Sequence, residues 1–501
     1  MTRLLLPLLL TVLLLPAPSV ALDSHILCGT RALPPRGVSP ASKPLQTTLL
    51  HPFVVGDTLT FRAFDFGSGK PYTLTATCRL VGQHCYAFVQ DEEWNTRVRL
   101  PQIQGLADAF DRSAAADTTR GIFDLDTATF GPPPDVDGDP RILILVLDIQ
   151  DGYASTGNFF AGYFDFANES PPIGREVLFI DDRPLDLDSR LARATLVHEF
   201  QHMIHWNADS KEEKWVDEGC SEYAERMSGY ADTTGVAQAF LSFPNVGLTE
   251  WQDLSLDYEK SMLFVAYFAH RYGRPSLRRL VQDRAHGVAG FASALSAIEG
   301  AGTFTDLFAD WIAANLLDAA GRYGYADLQL ASLTAEKMSA LPLGPSPRRV
   351  HAWAARYFDF GKQEGLRVGF EGGAQDTFRV RLVTVRAGVL GVLDMTLSSA
   401  NKGAVQAVRA DRIVAVIGRA GGGSGEVQFF ISADPFQPSP ASLCDFDGDG
   451  RVDFDDFFLF ADRFGRSSGQ GGFDPLFDLD GDRSIGLEDF FRFAEHFGET
   501  G

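Results

Sequence analysis

The chain has 501 residues, 45% of them hydrophobic, enough to bury a sizeable core; a prior of ~150 residues per domain points to several domains. Its net charge of −22 argues against nucleic acid as a partner, because phosphate binding needs clustered Lys and Arg. Five cysteines are too few for a disulfide scaffold.

Arg3, the leucine-rich run Leu4 to Leu15 and the small-residue pattern Ser19-Val20-Ala21 read as a signal peptide over residues 1–21, cut near Ala21. The run falls short of the ~20 apolar residues that a helical membrane span needs, and no later segment comes closer. A secreted or cell-surface-associated protein without a membrane span is therefore expected. Lipid attachment at Cys28 would require small residues before it, and His25-Ile26-Leu27 are not small, so Cys28 reads as an ordinary cysteine.

Residues 22–105 hold a Pro-rich stretch and then β-like segments, read as a small N-terminal β region or propeptide. Cys78 and Cys85 lie on two expected strands joined near Gly82 and are the best-placed disulfide pair, provided the register brings their Cα atoms within ~7 Å. Residues 106–340 combine apolar strands at Arg141–Leu147 and Glu176–Ile180 with a helical pattern from Leu191 to about Ala331, an α+β domain. The preceding Asp135-Val-Asp-Gly-Asp139 reads as a turn, because Val146 stands where a twelfth-position acid would be, with a calcium loop the alternative. Residues 341–438 return to short alternating runs such as Thr377–Val383 and Glu426–Ile431, a β-sandwich pattern. Its Gly421–Gly425 loop precedes a strand rather than a helix, so no helix N-terminus is available for phosphate.

His198-Glu199-Phe200-Gln201-His202 sits in a stretch without Gly or Pro. On a helix, residues four apart share a face, so the two imidazoles can grip one zinc ion with Glu199 beside it as general base. Sixteen residues past His202, Trp215-Val-Asp-Glu-Gly219 offers Glu218 as a third ligand, with Asp217 the alternative carboxylate. Two histidines and one carboxylate leave the fourth position open. Glu222, one turn on, is placed to hydrogen-bond a ligating imidazole from behind. His205 shares the ligand face and could flank the metal.

These residues resemble the gluzincin metallopeptidases. Trp-Val-Asp-Glu-Gly is similar to the Trp-Leu-Asn-Glu-Gly segment bearing the third zinc ligand of thermolysin-like aminopeptidases, and Asp257-Tyr-Glu-Lys-Ser261 is similar to their Tyr-Glu-Lys-Gly segment. The likeness is clearest from Leu191 to Tyr272, and the arrangement looks most like the hyicolysin-type secreted bacterial peptidases. It implies a thermolysin-like zinc peptidase domain, mixed sheet plus helices, in which Tyr258 hydrogen-bonds the oxyanion. Ser261 departs from the usual glycine, and no Gly-Ala-Met-Glu-Asn segment is present, which favours endopeptidase action on a protein or peptide substrate.

From Asp445 to the end the chain carries 12 Asp, 3 Glu and 5 Arg, a net −10. Over residues 443–499 a repeat spaced by thirty-three residues matches a twelve-residue calcium loop. The candidate Ca²⁺ ligands are Asp445, Asp447, Asp449, Arg451 and Asp456 in the first loop, and Asp478, Asp480, Asp482, Ser484 and Asp489 in the second. The sixth position is Gly450 in one and Arg483 in the other, where a side chain should cost turn geometry. Each loop precedes an aromatic helical segment, so the pair resembles a dockerin repeat, an EF-hand-like α module; that resemblance implies a cohesin-like partner. The competing reading of the whole chain is a non-catalytic extracellular scaffold or surface protein with an inactive peptidase fold.

Overall fold

Continuous apolar runs in its central strands, buried on both faces, build the first sheet. The computed structural model describes residues 28–34, 52–157, 159–386, 388–447 and 450–500; the expected leader over 1–21 and the loop residue Asp449 lie outside the described residues. The strands are β1 (Thr58–Asp65), β2 (Lys70–Val81), β3 (Cys85–Gln90), β4 (Ile142–Leu147), β5 (Gly162–Phe164) and β6 (Val177–Asp181), in the order β1-β2-β3-β4-β6-β5. Pairing is antiparallel through β1, β2 and β3, parallel through β3, β4 and β6, and antiparallel again at the short edge strand β5.

Both faces of this sheet are covered. Ala87, Ile144, Val146 and Ile180 point into the large helical core, while Tyr86, Leu143, Leu145 and Phe179 point into a second core. The strands expected to form a separate N-terminal region thus share one sheet with β4 and β6, and the boundary placed near residue 105 does not divide it. The Cys78–Cys85 pairing also fails. Both thiols are free, because Cys78 faces one core and Cys85 the other, and in the register Cys78 stands opposite Phe88.

The helices α1 (Gly29–Ala32), α2 (Leu100–Asp111), α3 (Ile122–Phe130) and α4 (Tyr153–Thr156) precede the pair α5 (Arg190–Ala208) and α6 (Lys214–Met227). After them come α7 (Gln238–Ser242), α8 (Ser255–Tyr272), α9 (Pro275–Val281), α10 (Gly287–Ser296) and α11 (Phe304–Leu317). Ser189 caps α5 by accepting from Ala192 N–H, which places the start of that helix one residue before the expected Leu191. No helix among the described residues is long and apolar enough to cross a membrane.

Where a β-sandwich was expected, the hydrogen bonding is continuous through one seven-stranded sheet. Two eighteen-residue strands, Ala354–Glu371 and Lys402–Arg419, run through it, with register shifts at Gly361, where φ is +65°. It encloses Phe358, Leu366, Val368, Leu382, Ile417 and Phe429, while the alternate residues Tyr357, Val383, Val414 and Val416 join the helical core. Tyr357 Oη donates to Ile312 O of α11 across that contact.

At the C-terminus, α12 (Phe454–Ala461) and α13 (Leu487–Glu495) each follow one acidic loop and pack through Phe446, Phe460, Phe477 and Phe493. The last residue of each loop closes it in the same way. Asp456 Oδ1 accepts from the N–H groups of Phe446 and Asp447, and Asp489 Oδ1 from those of Leu479 and Asp480.

Candidate metal centre

His198 and His202 lie four apart on α5, and both rings point at Glu218 on α6. His198 Nε2 lies 3.1 Å from His202 Nε2 and 3.3 Å from Glu218 Oε2, and His202 Nε2 lies 3.6 Å from Glu218 Oε1. All three side chains are buried.

The outer hydrogen bonds decide which nitrogens carry protons. His198 Nδ1 lies 2.8 Å from Glu225 Oε1, an acceptor, so Nδ1 carries hydrogen. Ser221 Oγ donates to Gln201 Oε1 at 2.6 Å, which leaves its lone pair for His202 Nδ1 at 3.2 Å. Both Nε2 atoms then present lone pairs to each other, and Glu218 Oε2 is buried beside them with no hydrogen-bond donor. Three converging lone-pair donors repel one another unless a cation sits between them, so the donor set fits a divalent metal of the zinc type. Burial holds His202 down to about 4, whereas at His198 burial is outweighed by contacts to Cys28, Glu218 and Glu225, which raise it; metal binding there would displace that proton.

Two other residues considered for this site sit behind it. Asp217 Oδ1 is 3.2 Å from His202 Nδ1 and 3.0 Å from His205 Nδ1, on the side of the rings away from the cluster. Burial holds His205 down to about 3, and it has no place among the converging atoms. Glu222, expected behind a ligating imidazole, is not the imidazole's partner. It lies within 4.8 Å of His198 and Glu225, but its carboxylate bonds Arg226 at 2.9 Å, and the imidazole's partner is Glu225. Seven residues past Glu218, Glu225 returns to the same helix face after two turns, a better alignment than the 40° offset of position 222.

Glu199 is buried on the cleft side, and burial pushes its carboxyl up to about 7, near the value suited to a base at neutral pH. A cavity of about 260 Å³ opens in front of it, lined by Gly162, Thr195, His198, Glu222 and Tyr258. Tyr258 sits in the first turn of α8, its ring edge-on to Trp251 at 4.9 Å. Burial and then the Glu218 charge push its phenol up, which keeps the hydroxyl protonated. Asp257 anchors that turn by accepting from Gln252 and Leu254 N–H, and buried Lys260 donates to Asp257 and to Glu250 O. Gly219 lets α6 and α8 meet: a Cβ there would come within 2.8 Å of Ser261 O.

Cys28, which the sequence marks only as an ordinary cysteine, enters the same cluster. Its Sγ lies 3.3 Å from His202 Nε2 and 3.7 Å from Glu199 Oε1. Its sequence signal was slight, a cysteine followed by Gly-Thr-Arg some 170 residues before the motif. Burial, and then the carboxylates of Glu199 and Glu218, push its thiol up to about 12.

The acidic loops gather Asp445, Asp447 and Asp456 in one group and Asp478, Asp480 and Asp489 in another. In the second loop Arg483 takes a φ of +74°, matching the +91° of Gly450 in the first. Arg451 pairs with Thr500 through an isolated bridge, and Ser484 N–H donates to Asp482 Oδ1.

Comparison with known proteins gives a partial likeness. No protein-family model matches the chain. A neutral metalloprotease of Staphylococcus hyicus, ShpI, is 29% identical over 188 residues, which cover 31% of this chain and 42% of that protein. The chain thus spans less than half the length of this curated relative. Among solved structures, the pre-peptidase C-terminal domain of a Bacillus anthracis collagenase aligns over 20% of this chain and 95% of that one, at 6% identity and a TM-score of 0.16. A 4-O-methyl-alpha-glucuronidase aligns over 60% of this chain and 52% of that one, at 9% identity and a TM-score of 0.12. At those scores neither structure bears on the fold.

Proposed function

We propose that the chain is a secreted zinc-dependent endopeptidase of the gluzincin type, with the metal held by His198, His202 and Glu218. The observation that carries this reading is the convergence of two imidazole lone pairs and one undonated carboxylate oxygen in a buried pocket, with a second carboxylate, Glu199, on its open side. Zinc bound there would supply the Lewis acidity that peptide hydrolysis needs. Glu199 accepts the proton of the attacking water and delivers it to the leaving amine. Tyr258 donates its hydroxyl hydrogen to the oxygen that becomes negatively charged. The edge strand β5 beside the site leaves backbone groups for an extended peptide, which supports cleavage within chains.

The acidic repeat is proposed to hold two Ca²⁺ ions, through Asp445, Asp447, Asp449, Arg451 and Asp456 and through Asp478, Asp480, Asp482, Ser484 and Asp489. Closure of each loop by its twelfth residue supports this, and the dockerin resemblance makes a cohesin-like protein the candidate partner.

The test is zinc content and casein cleavage in a Cys28→Ala protein, which removes the thiol from the cleft, with and without Glu199→Gln. One equivalent of zinc in both and cleavage only with Glu199 intact is the expected result. Metal-free protein after zinc supplementation would overturn the proposal. Zinc without cleavage in either would favour the non-catalytic scaffold instead.

A further inference from the structure

We infer that the Cys28–Arg31 segment is a built-in inhibitor that holds the peptidase latent, with Cys28 Sγ as the fourth ligand of the metal, the Thr30 side chain in the place of substrate and Arg31 anchoring the segment. The inference rests on the zinc reading above. Ligand atoms of Cys28, His198, His202 and Glu218 all lie within 4.8 Å of one another. A catalytic zinc site keeps one position open, whereas four protein ligands close it. Here the closing ligand is the N-cap residue of the short helix α1, about 170 residues before the helices that carry the other three.

The contacts on either side of the sulfur fit inhibition better than simple packing. The Thr30 hydroxyl donates to Glu199 Oε2 at 2.5 Å and accepts from Phe164 N–H at 2.7 Å. One side chain thereby occupies the proposed base and a backbone donor of edge strand β5, the donor an extended substrate would use. Arg31 Nε donates to Glu218 Oε1 at 3.0 Å, and its guanidinium also pairs with Asp217. Gly29 permits the close approach, since a Cβ there would lie 2.7 Å from Gly162 O and 2.9 Å from Tyr163 Cβ. The other four cysteines are buried in cores away from the cluster, and Cys28 alone is half-buried at its rim.

With the segment in place, a peptide can reach neither Glu199 nor the metal's open position. Displacing the segment frees both at once. Because activity follows the fraction of molecules in the open state, Cys28→Ala should raise peptide cleavage on the order of tenfold or more.

The decisive measurement is spectroscopic. The full-length secreted chain and its Cys28→Ala variant are loaded with cobalt(II), and near-ultraviolet absorption is recorded for thiolate-to-cobalt charge transfer. In parallel, iodoacetamide labelling at Cys28 is followed by mass spectrometry before and after chelation. The expected result is one equivalent of cobalt in both proteins, a charge-transfer band in wild type only, and labelling of Cys28 only once the metal is removed. Bound cobalt without the band, with Cys28 labelled equally in both states, would overturn the latency while leaving the metal site standing. Failure of both proteins to bind metal would overturn the two together. Should Cys28→Ala fail to fold, Thr30→Val and Arg31→Ala keep the thiol but loosen the segment, and each should speed Cys28 labelling of the loaded protein; unchanged labelling in both would count against the inference.

Discussion

Glu225 Oε1 lies 2.8 Å from His198 Nδ1, on the far side of the ring from the lone pair that faces Glu218. A carboxylate there fixes the tautomer and raises the basicity of the opposite nitrogen. Glu225→Ala should therefore weaken zinc binding by roughly 10–100-fold, read by competition with a chelator. Glu222→Ala, which removes a carboxylate bonded to Arg226 rather than to an imidazole, should leave it close to wild type; equal losses in the two variants would refute the assignment.

Gly219 stands where α6 crosses α8. An added methyl would meet Ser261 O at 2.8 Å and Val265 Cγ2 at 3.0 Å, so the helices must part. Gly219→Ala should cost about 1–3 kcal/mol in denaturant unfolding, as overpacking does. Because Glu218 and Tyr258 ride on these two helices, cleavage should fall further than stability alone explains.

Glu176 carries a buried carboxyl that burial pushes up to about 8, with one oxygen accepting from Val136 N–H. An unfolded glutamate titrates near ~4.3, so between that value and about 8 unfolding releases a proton. This group's contribution to stability is full below the unfolded value and declines as pH rises toward 8. Glu176→Gln keeps the acceptor without the charge, so thermal unfolding should show the variant gaining on wild type from pH 5 to pH 8. A pH-independent gap between the two would show that the carboxyl does not titrate in this way.

Arg483 occupies a left-handed backbone position, φ +74°, with its N–H donating to Asp478 Oδ2 just as Gly450 N–H donates to Asp445 Oδ2. A side chain in that conformation costs roughly 1–2 kcal/mol. Arg483→Gly should tighten calcium binding at the second loop by about tenfold or raise the melting temperature of the calcium-free module, as seen by calorimetry. No change in either would mean the conformation is not strained.

Much of the candidate site was legible because its signals are local. Helical periodicity alone puts His198 and His202 on one face, and a cap at Ser189 with no breaker up to Ala208 makes the helix. The apolar runs that became β4 and β6 are buried on both faces and read as strands for that reason. The thirty-three-residue acidic repeat shows its loops through spacing that the backbone geometry repeats.

What spacing could not supply is any relation across long stretches of chain. Glu225 over Glu222 depends on how α6 is rotated against α5, which neighbouring packing sets. The pairing of β3 with β4 joins the early strands to the later sheet, across more than fifty residues. That sheet also puts Cys78 and Cys85 on opposite faces. The chemistry on hand is written in the chain: two imidazoles at helical spacing on α5, Glu199 between them and Glu218 on the next helix. That Cys28, 174 residues from His202, comes to rest against them follows from the packing of the sheet edge and helices, which leaves no periodic trace in the chain.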